Sequence, residues 1–147
     1  ICSSLCEKIK RTFKKIDIIL SPAIGGIVVG YEVGRQLALK TIFAERFDGN
    51  LILRRGFKIP KNSNVLIVED VITTGKSVLE CSEIIKKNNS KVAGYACIID
   101  RSDKKVLIKD KIVSQIKFEI KTFKENELPS ELSKIQAVKP GSKNASK

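Results

Sequence analysis

The stretch that most limits the possible folds is Val65-Leu66-Ile67-Val68, four consecutive apolar residues followed at once by Glu69 and Asp70. A strand with one face in water alternates apolar and polar residues, whereas an unbroken apolar run is what a parallel strand covered by helices on both faces requires. The surrounding pattern agrees. Leu5, Ile9 and Phe13 predict an amphipathic helix through about Lys15, and Ile16 to Leu20 predicts a short buried strand ending at Ser21-Pro22. The turn Ala23-Ile24-Gly25-Gly26 then opens a helix from about Ile27 to Leu39, and Thr41 to Glu45 reads as a second strand. From Arg46 to Asn64 the chain reads as loop, with breakers around a possible hairpin at Leu51 to Lys58. Ser77 to Lys87 predicts a helix, Val92 to Ile99 a strand, Lys105 to Ile108 and Ile112 to Ile120 further strands, and Glu127 to Ile135 a short closing helix. This order predicts an α/β fold, a central, mainly parallel β-sheet flanked by helices and joined by right-handed crossovers.

At 147 residues with 42% apolar content, the chain suits one domain, read as residues 1–138 with a polar tail over 139–147. It has no apolar run of the ~20 residues that a membrane span needs, and residues 1–15 do not read as a signal peptide, so a cytoplasmic protein is expected. The four cysteines include no CxxC pair and histidine is absent, which removes the usual zinc-ligand sets and histidine-dependent nucleophiles. Cys2 and Cys6 share a helix face and read as small buried hydrophobes. Catalysis is left to carboxylates, cations, backbone amides or a metal. The formal charge of +12 invites a nucleic-acid reading, but lysine is spread from Lys8 to Lys147 rather than gathered in a stripe, which argues against it. Among only six arginines, Arg46, Arg54, Arg55 and Arg101 fall at predicted loop positions, where a planar fork suits phosphate or carboxylate.

The chemistry concentrates in Val65 to Ser77, VLIVEDVITTGKS. Glu69 and Asp70 fall at the carboxyl end of the central strand, where open α/β sheets place their ligands. Thr73, Thr74, Gly75, Lys76 and Ser77 follow, small and hydroxylic residues that lead into a helix and can aim amides and the helix dipole at a phosphate. Two carboxylates beside an anion cradle suit a ligand with both hydroxyls and a phosphate, such as ribose 5-phosphate. Gly75-Lys76-Ser77 also ends like a Walker A loop, but the first glycine of that motif would have to stand at Asp70, whose charge would face the phosphates.

VLIVEDVITTGKS resembles the phosphoribosyl pyrophosphate (PRPP) signature of type I phosphoribosyltransferases. Within that group the chain is similar to orotate phosphoribosyltransferases through SPAIGGIVVGYEVGRQLA at Ser21 to Ala38, FAE at Phe43 to Glu45, LRRGF at Leu53 to Phe57, IIDRS at Ile98 to Ser102 and AVKPGS at Ala137 to Ser142. The resemblance implies a type I phosphoribosyltransferase-like fold and transfer of ribose 5-phosphate from PRPP to orotate, giving orotidine 5′-phosphate and pyrophosphate in pyrimidine biosynthesis. It implies that Glu69 and Asp70 hold the ribose hydroxyls, and that PRPP contacts run through Val71 and Ile72 into Thr73, Thr74, Gly75, Lys76 and Ser77, the last five wrapping the 5′-phosphate. Ala23, Ile24, Gly25 and Gly26 would approach the pyrophosphate, and Thr73 and Arg101 would contact orotate. Arg101 also makes chemical sense there, since a guanidinium can grip the orotate carboxylate with two hydrogen bonds.

The family's reaction displaces pyrophosphate from ribose C1 by a pyrimidine nitrogen that is already anionic, so no histidine base is needed. The implied cofactor is Mg²⁺ carried mainly by PRPP, with no dedicated protein metal site. The implied assembly is a homodimer in which a basic loop, here Arg46 to Gly56 with Arg46, Arg54 and Arg55 as catalytic candidates, serves the neighbouring subunit.

Two departures stand out. Lys76 replaces a glycine or other small residue often found in the family's phosphate loop, where it either adds a phosphate contact or crowds the turn. Nothing matches the family's N-terminal section, which supplies a lid and part of the orotate pocket, so an N-terminally incomplete domain is expected. Two other readings stay open: a PRPP-binding regulatory protein on the same fold, against which the DRS motif argues, and a catalytically impaired remnant.

Overall fold

The computed structural model of the chain describes residues 1–102, 108, 110–119, 123 and 125–136. Six strands, β1 (Ile18–Pro22), β2 (Lys40–Phe47), β3 (Asn50–Leu53), β4 (Asn64–Ile72), β5 (Lys91–Asp100) and β6 (Ile112–Lys117), form one sheet in the order β3-β2-β1-β4-β5-β6. All neighbours are parallel except β2 and β3, an antiparallel pair. Helices α1 (Cys2–Thr12), α2 (Gly25–Leu37) and α3 (Lys76–Lys87) complete the described architecture.

The apolar run behaves as its composition demands. Val65 and Ile67 point into a core shared with Val78, Cys81 and Ile85 of α3, while Leu66 and Val68 point into a second core with Leu5, Cys6 and Ile9 of α1 and Val33 of α2. All four residues of the run are fully buried. The sheet therefore lies between α1 and α2 on one face and α3 on the other. The chain steps from β1 to β2 through α2 in one direction and from β4 to β5 through α3 in the other. With right-handed crossovers, those opposite steps put α2 and α3 on opposite faces and leave a crevice at the carboxyl ends of β1 and β4.

Most predicted elements form within two residues of their expected ends; the differences are informative. The segment from Arg46 onward is not a loop from its start: β2 runs through Arg46 to Phe47, and the hairpin turns at Asp48-Gly49, with φ of 47° and 76°, rather than lying at Leu51 to Lys58. Aspartate followed by glycine is a favoured two-residue hairpin turn, and it decided the register. The closing helix expected at Glu127 to Ile135 does not form. A 3₁₀ turn at Glu125–Glu127 is followed by isolated turns about Pro129, and Leu128, Leu132 and Ile135 stay exposed, so no buried face repays helix formation. The expected strand at Lys105 to Ile108 falls outside the described residues except for Ile108, as do Ile120, the 139–147 tail and AVKPGS.

Cys6, Cys81 and Cys97 are buried free thiols, in line with the hydrophobe reading, and Cys2 is partly exposed. No helix among the described residues is long and apolar enough to cross a membrane. Because β4 is gripped from both faces, Ile67→Ala should cost about 3 kcal/mol of stability, measured by urea unfolding, with a cavity left behind.

Candidate functional site

The site follows from where the β1–β4 ladder stops. Its last pair is Leu20 with Ile67, yet β4 continues to Ile72, paired beyond that point only with β5. The open side of this extension is covered by the turn from β1 into α2. Gly26 packs so closely that a Cβ there would lie 3.1 Å from the Val68 carbonyl oxygen, and a Cβ at Gly25 would collide with the Asp70 carboxylate. Glycine lets the backbone come this near without moving the Asp70 side chain or the neighbouring strand. The Ala23-Ile24 peptide bond in this turn is cis.

Glu69 and Asp70 are neighbours on one strand and so aim at opposite faces. Asp70 faces Gly25 at the start of α2, and its Oδ1 accepts the Val71 amide at 2.9 Å. Glu69 turns toward the α3 side, where its charge acts on the buried thiols Cys81 and Cys97. Burial, and then the Asp70 charge, push the Glu69 carboxyl up to about 7. Burial pushes the Cys97 thiol up to about 12 and Cys81 further still, so neither is a nucleophile.

Two helices begin at this crevice, and neither has a side-chain cap from its N-cap residue. α2 starts after Ile24 and α3 after Gly75, with no acidic residue in either first turn. The Lys76 amide donates to Thr74 Oγ1 at 3.4 Å and the Ile27 amide to the Ile24 carbonyl at 3.1 Å, so each start is partly satisfied within the chain, while both helix dipoles favour an anion at this edge. Thr73 and Thr74 are exposed and Gly75 is buried with φ of 74°, a left-handed turn that releases the chain into α3. Lys76 does not crowd this turn: its side chain is exposed and its Nζ stands 4.0 Å from Glu80.

Arg101 is brought to the same edge by its backbone, whose amide donates to the Ile72 carbonyl at 2.8 Å, so it stands beside Thr73 with its side chain exposed. The turn that carries it is held by buried Asp100, which accepts the Ser102 amide at 2.9 Å and the Ser102 hydroxyl and pairs with Lys117 at 3.6 Å. The three candidate arginines do not share one mobile loop. Arg46 is a strand residue paired with Glu80 at 2.6 Å, whereas Arg54 and Arg55 both turn back onto Glu45, at 3.5 and 3.0 Å. Arg54 also lies 4.7 Å above the Phe47 ring. Sequence reasoning missed Glu45, Glu80 and Asp100 as the partners that hold these cations and this turn; the FAE string contained Glu45, but nothing in the string told which cations it would meet.

An α/β sheet with an acidic strand end between two helix starts suits a ligand that carries both hydroxyls and anionic groups. The family description "Phosphoribosyl transferase domain" matches residues 1–133. The chain is 43% identical over 145 residues to the orotate phosphoribosyltransferase of Parvibaculum lavamentivorans, covering 98% of this chain and 75% of that one. It is 46% identical over 144 residues to that of Methylorubrum extorquens, covering 97% and 74%. Among solved structures, adenine phosphoribosyltransferase from Thermoanaerobacter pseudethanolicus superposes with a TM-score of 0.68 at 18% identity, covering 80% of this chain and 77% of that one. Orotate phosphoribosyltransferase from Aeropyrum pernix gives 0.64 at 20% identity, covering 80% and 70%. These two establish the fold. The chain belongs to the phosphoribosyltransferase family and, within it, to the orotate phosphoribosyltransferases.

The raised Glu69 carboxyl has a thermodynamic consequence. A folded-state value of about 7 against an ordinary 4.5 means that the folded protein holds this proton more tightly than the unfolded chain. The associated stability is present in full below about pH 4.5 and is lost as pH rises through about 7. Glu69→Gln should remove that loss. The melting temperature of the variant should gain on wild type across this window and keep a constant lead above it, as read by thermal unfolding at stepped pH.

Proposed function

We propose that this chain transfers ribose 5-phosphate from PRPP to orotate, the reaction for which its relatives are named. The observation that carries the reading is the close packing of Gly25 against the Asp70 carboxylate, between the starts of α2 and α3. That packing supports a reading with an anion position on either side of one pair of acids, which suits a sugar with a phosphate at one end and a pyrophosphate at the other. In this reading Thr73 to Ser77 receive the 5′-phosphate, Glu69 and Asp70 the ribose hydroxyls, and Ala23 to Gly26 the pyrophosphate.

Orotate would lie against Thr73 with its carboxylate on Arg101, the cation that the Ile72–Arg101 hydrogen bond brings to this edge. The pyrimidine nitrogen is anionic before it attacks, so the protein supplies orientation and electrostatic stabilisation rather than a base. Glu69 and Asp70 are hard oxygen donors that suit Mg²⁺, and in this reading the ion would arrive mainly on PRPP. When bound, Mg²⁺ offsets the charge developing on pyrophosphate. Arg54 and Arg55 are the cations for the leaving group; to act they must leave Glu45.

A homodimer is part of the proposal. Ile24, Val28 and Tyr31 form an exposed apolar stripe at helical spacing along α2, beside the pyrophosphate turn. An apolar stripe at that place supports a subunit contact bordering the site. Light scattering should report about twice the 16.3 kDa chain mass.

The direct test follows orotate absorbance with PRPP and Mg²⁺, then repeats the assay with uracil. Uracil leaves the Arg101 guanidinium unpaired, so orotate should be preferred by at least about a hundredfold, and Arg101→Ala should abolish most of that preference. Equal use of orotate and uracil by the wild-type protein would refute the acceptor assignment. Asp70→Asn with Thr74→Val should weaken PRPP binding at least about tenfold by calorimetry if the acids and turn are placed correctly.

A further inference from the structure

Glu80 lies one turn into α3 and faces two cations at once. Its Oε2 accepts a hydrogen bond from Arg46 Nη2 at 2.6 Å and its Oε1 one from Arg46 Nη1 at 3.5 Å. Lys76 Nζ stands 4.0 Å from the same Oε1. The other side of the Arg46 guanidinium is fixed by the Gly49 carbonyl oxygen, which accepts from Nη1 at 2.7 Å. An arginine from the β2–β3 hairpin is thereby drawn to the amino-terminal half of α3, the helix that opens directly after the Thr73-Thr74-Gly75 turn.

Fold stability gives little reason for this arrangement, because part-exposed ion pairs contribute little. A carboxylate so near an anion-binding helix start would on its own repel a phosphate. Its presence makes chemical sense if it serves to hold the cations: one carboxylate against a guanidinium and an ammonium leaves a net positive charge there.

We propose that Glu80 is a positioning residue that holds Arg46 and Lys76 as a cationic wall for the phosphate turn of its own subunit. This rests on reading Thr73 to Ser77 as the 5′-phosphate site. It separates the three arginines by role: Arg46 serves substrate binding within its own chain, while Arg54 and Arg55, held by a different carboxylate, serve the leaving group. It also gives Lys76, a departure from the family's small residue, a defined task. The partner is a dianionic phosphate ester, and the sign of the Glu80 effect distinguishes positioning from simple repulsion.

The test uses the full chain, with calorimetry of ribose 5-phosphate binding alongside steady-state kinetics in PRPP. Glu80→Gln should weaken ribose 5-phosphate binding and raise KM for PRPP by about tenfold, the size expected for losing a charge-assisted hydrogen bond, while kcat barely moves. Glu80→Asp should recover part of the loss. In an Arg46→Ala background, Glu80→Gln should add little, because the two act as one unit. Unchanged or tighter binding in Glu80→Gln, or additive effects of the two changes, would overturn the proposal while leaving the site reading intact. A wild-type protein that neither binds ribose 5-phosphate nor consumes orotate would remove the site reading and the proposal together.

Discussion

The arrangement on which everything else depends is the parting of β1 and β4. They are the two central strands, hydrogen-bonded to each other only from Ile18 with Val65 to Leu20 with Ile67, and their crossovers leave in opposite directions. Where they part, no ladder fills the gap, and among the described residues the glycine-bearing turn into α2 packs closely against it. Burial of Val65 to Val68 on both faces holds the strand rigidly enough for the next two residues, both acidic, to be presented at fixed positions. A core requirement and a site requirement are thus met by one strand.

Charge is distributed against the average. The chain carries +12, yet the crevice is centred on two carboxylates, one of them raised by burial and by its neighbour. Positive potential is offered instead by the starts of α2 and α3, neither with an acidic residue in its first turn, and by cations on the rim. Those cations are not loose: Arg46 is tied to Glu80, and Arg54 and Arg55 to Glu45. Glu45 is mostly buried; its Oε2 accepts from Arg55 at 3.0 Å, and its Oε1 stands 3.5 Å from Arg54 without a hydrogen bond.

The α2 face makes a similar point about economy of placement. Gly26, Gly30 and Gly34 with Val33 form the buried side of the helix, while Ile24, Val28 and Tyr31 are exposed on the outer side. The same short helix supplies a close backbone approach to Asp70, a packed seam on β1 and an exposed apolar stripe. Its amino end, its inner face and its outer face each meet a different demand.

Much of this was legible from the residues in order. The apolar run identified the central strand, because burial on both faces is a local consequence of composition, and the two acids and the hydroxylic turn fall at its carboxyl end as read. The strings about Ala23 to Gly26 and Asp100 to Ser102 pointed to the family through resemblance. What the order of residues left open was who meets whom across the sheet. Adjacency suggested that Glu69 and Asp70 act side by side, but the pleat sends them to opposite faces. Arg46 read as part of a basic loop until an Asp-Gly turn pulled the strand past it, and its pairing with Glu80, 34 residues away, came only with the sheet and α3 in place. Composition and periodicity determine which residues are buried and where a chain turns. Partners between elements are decided by the packing of those elements, because an ion pair depends on a few ångströms of separation that no spacing along the chain records.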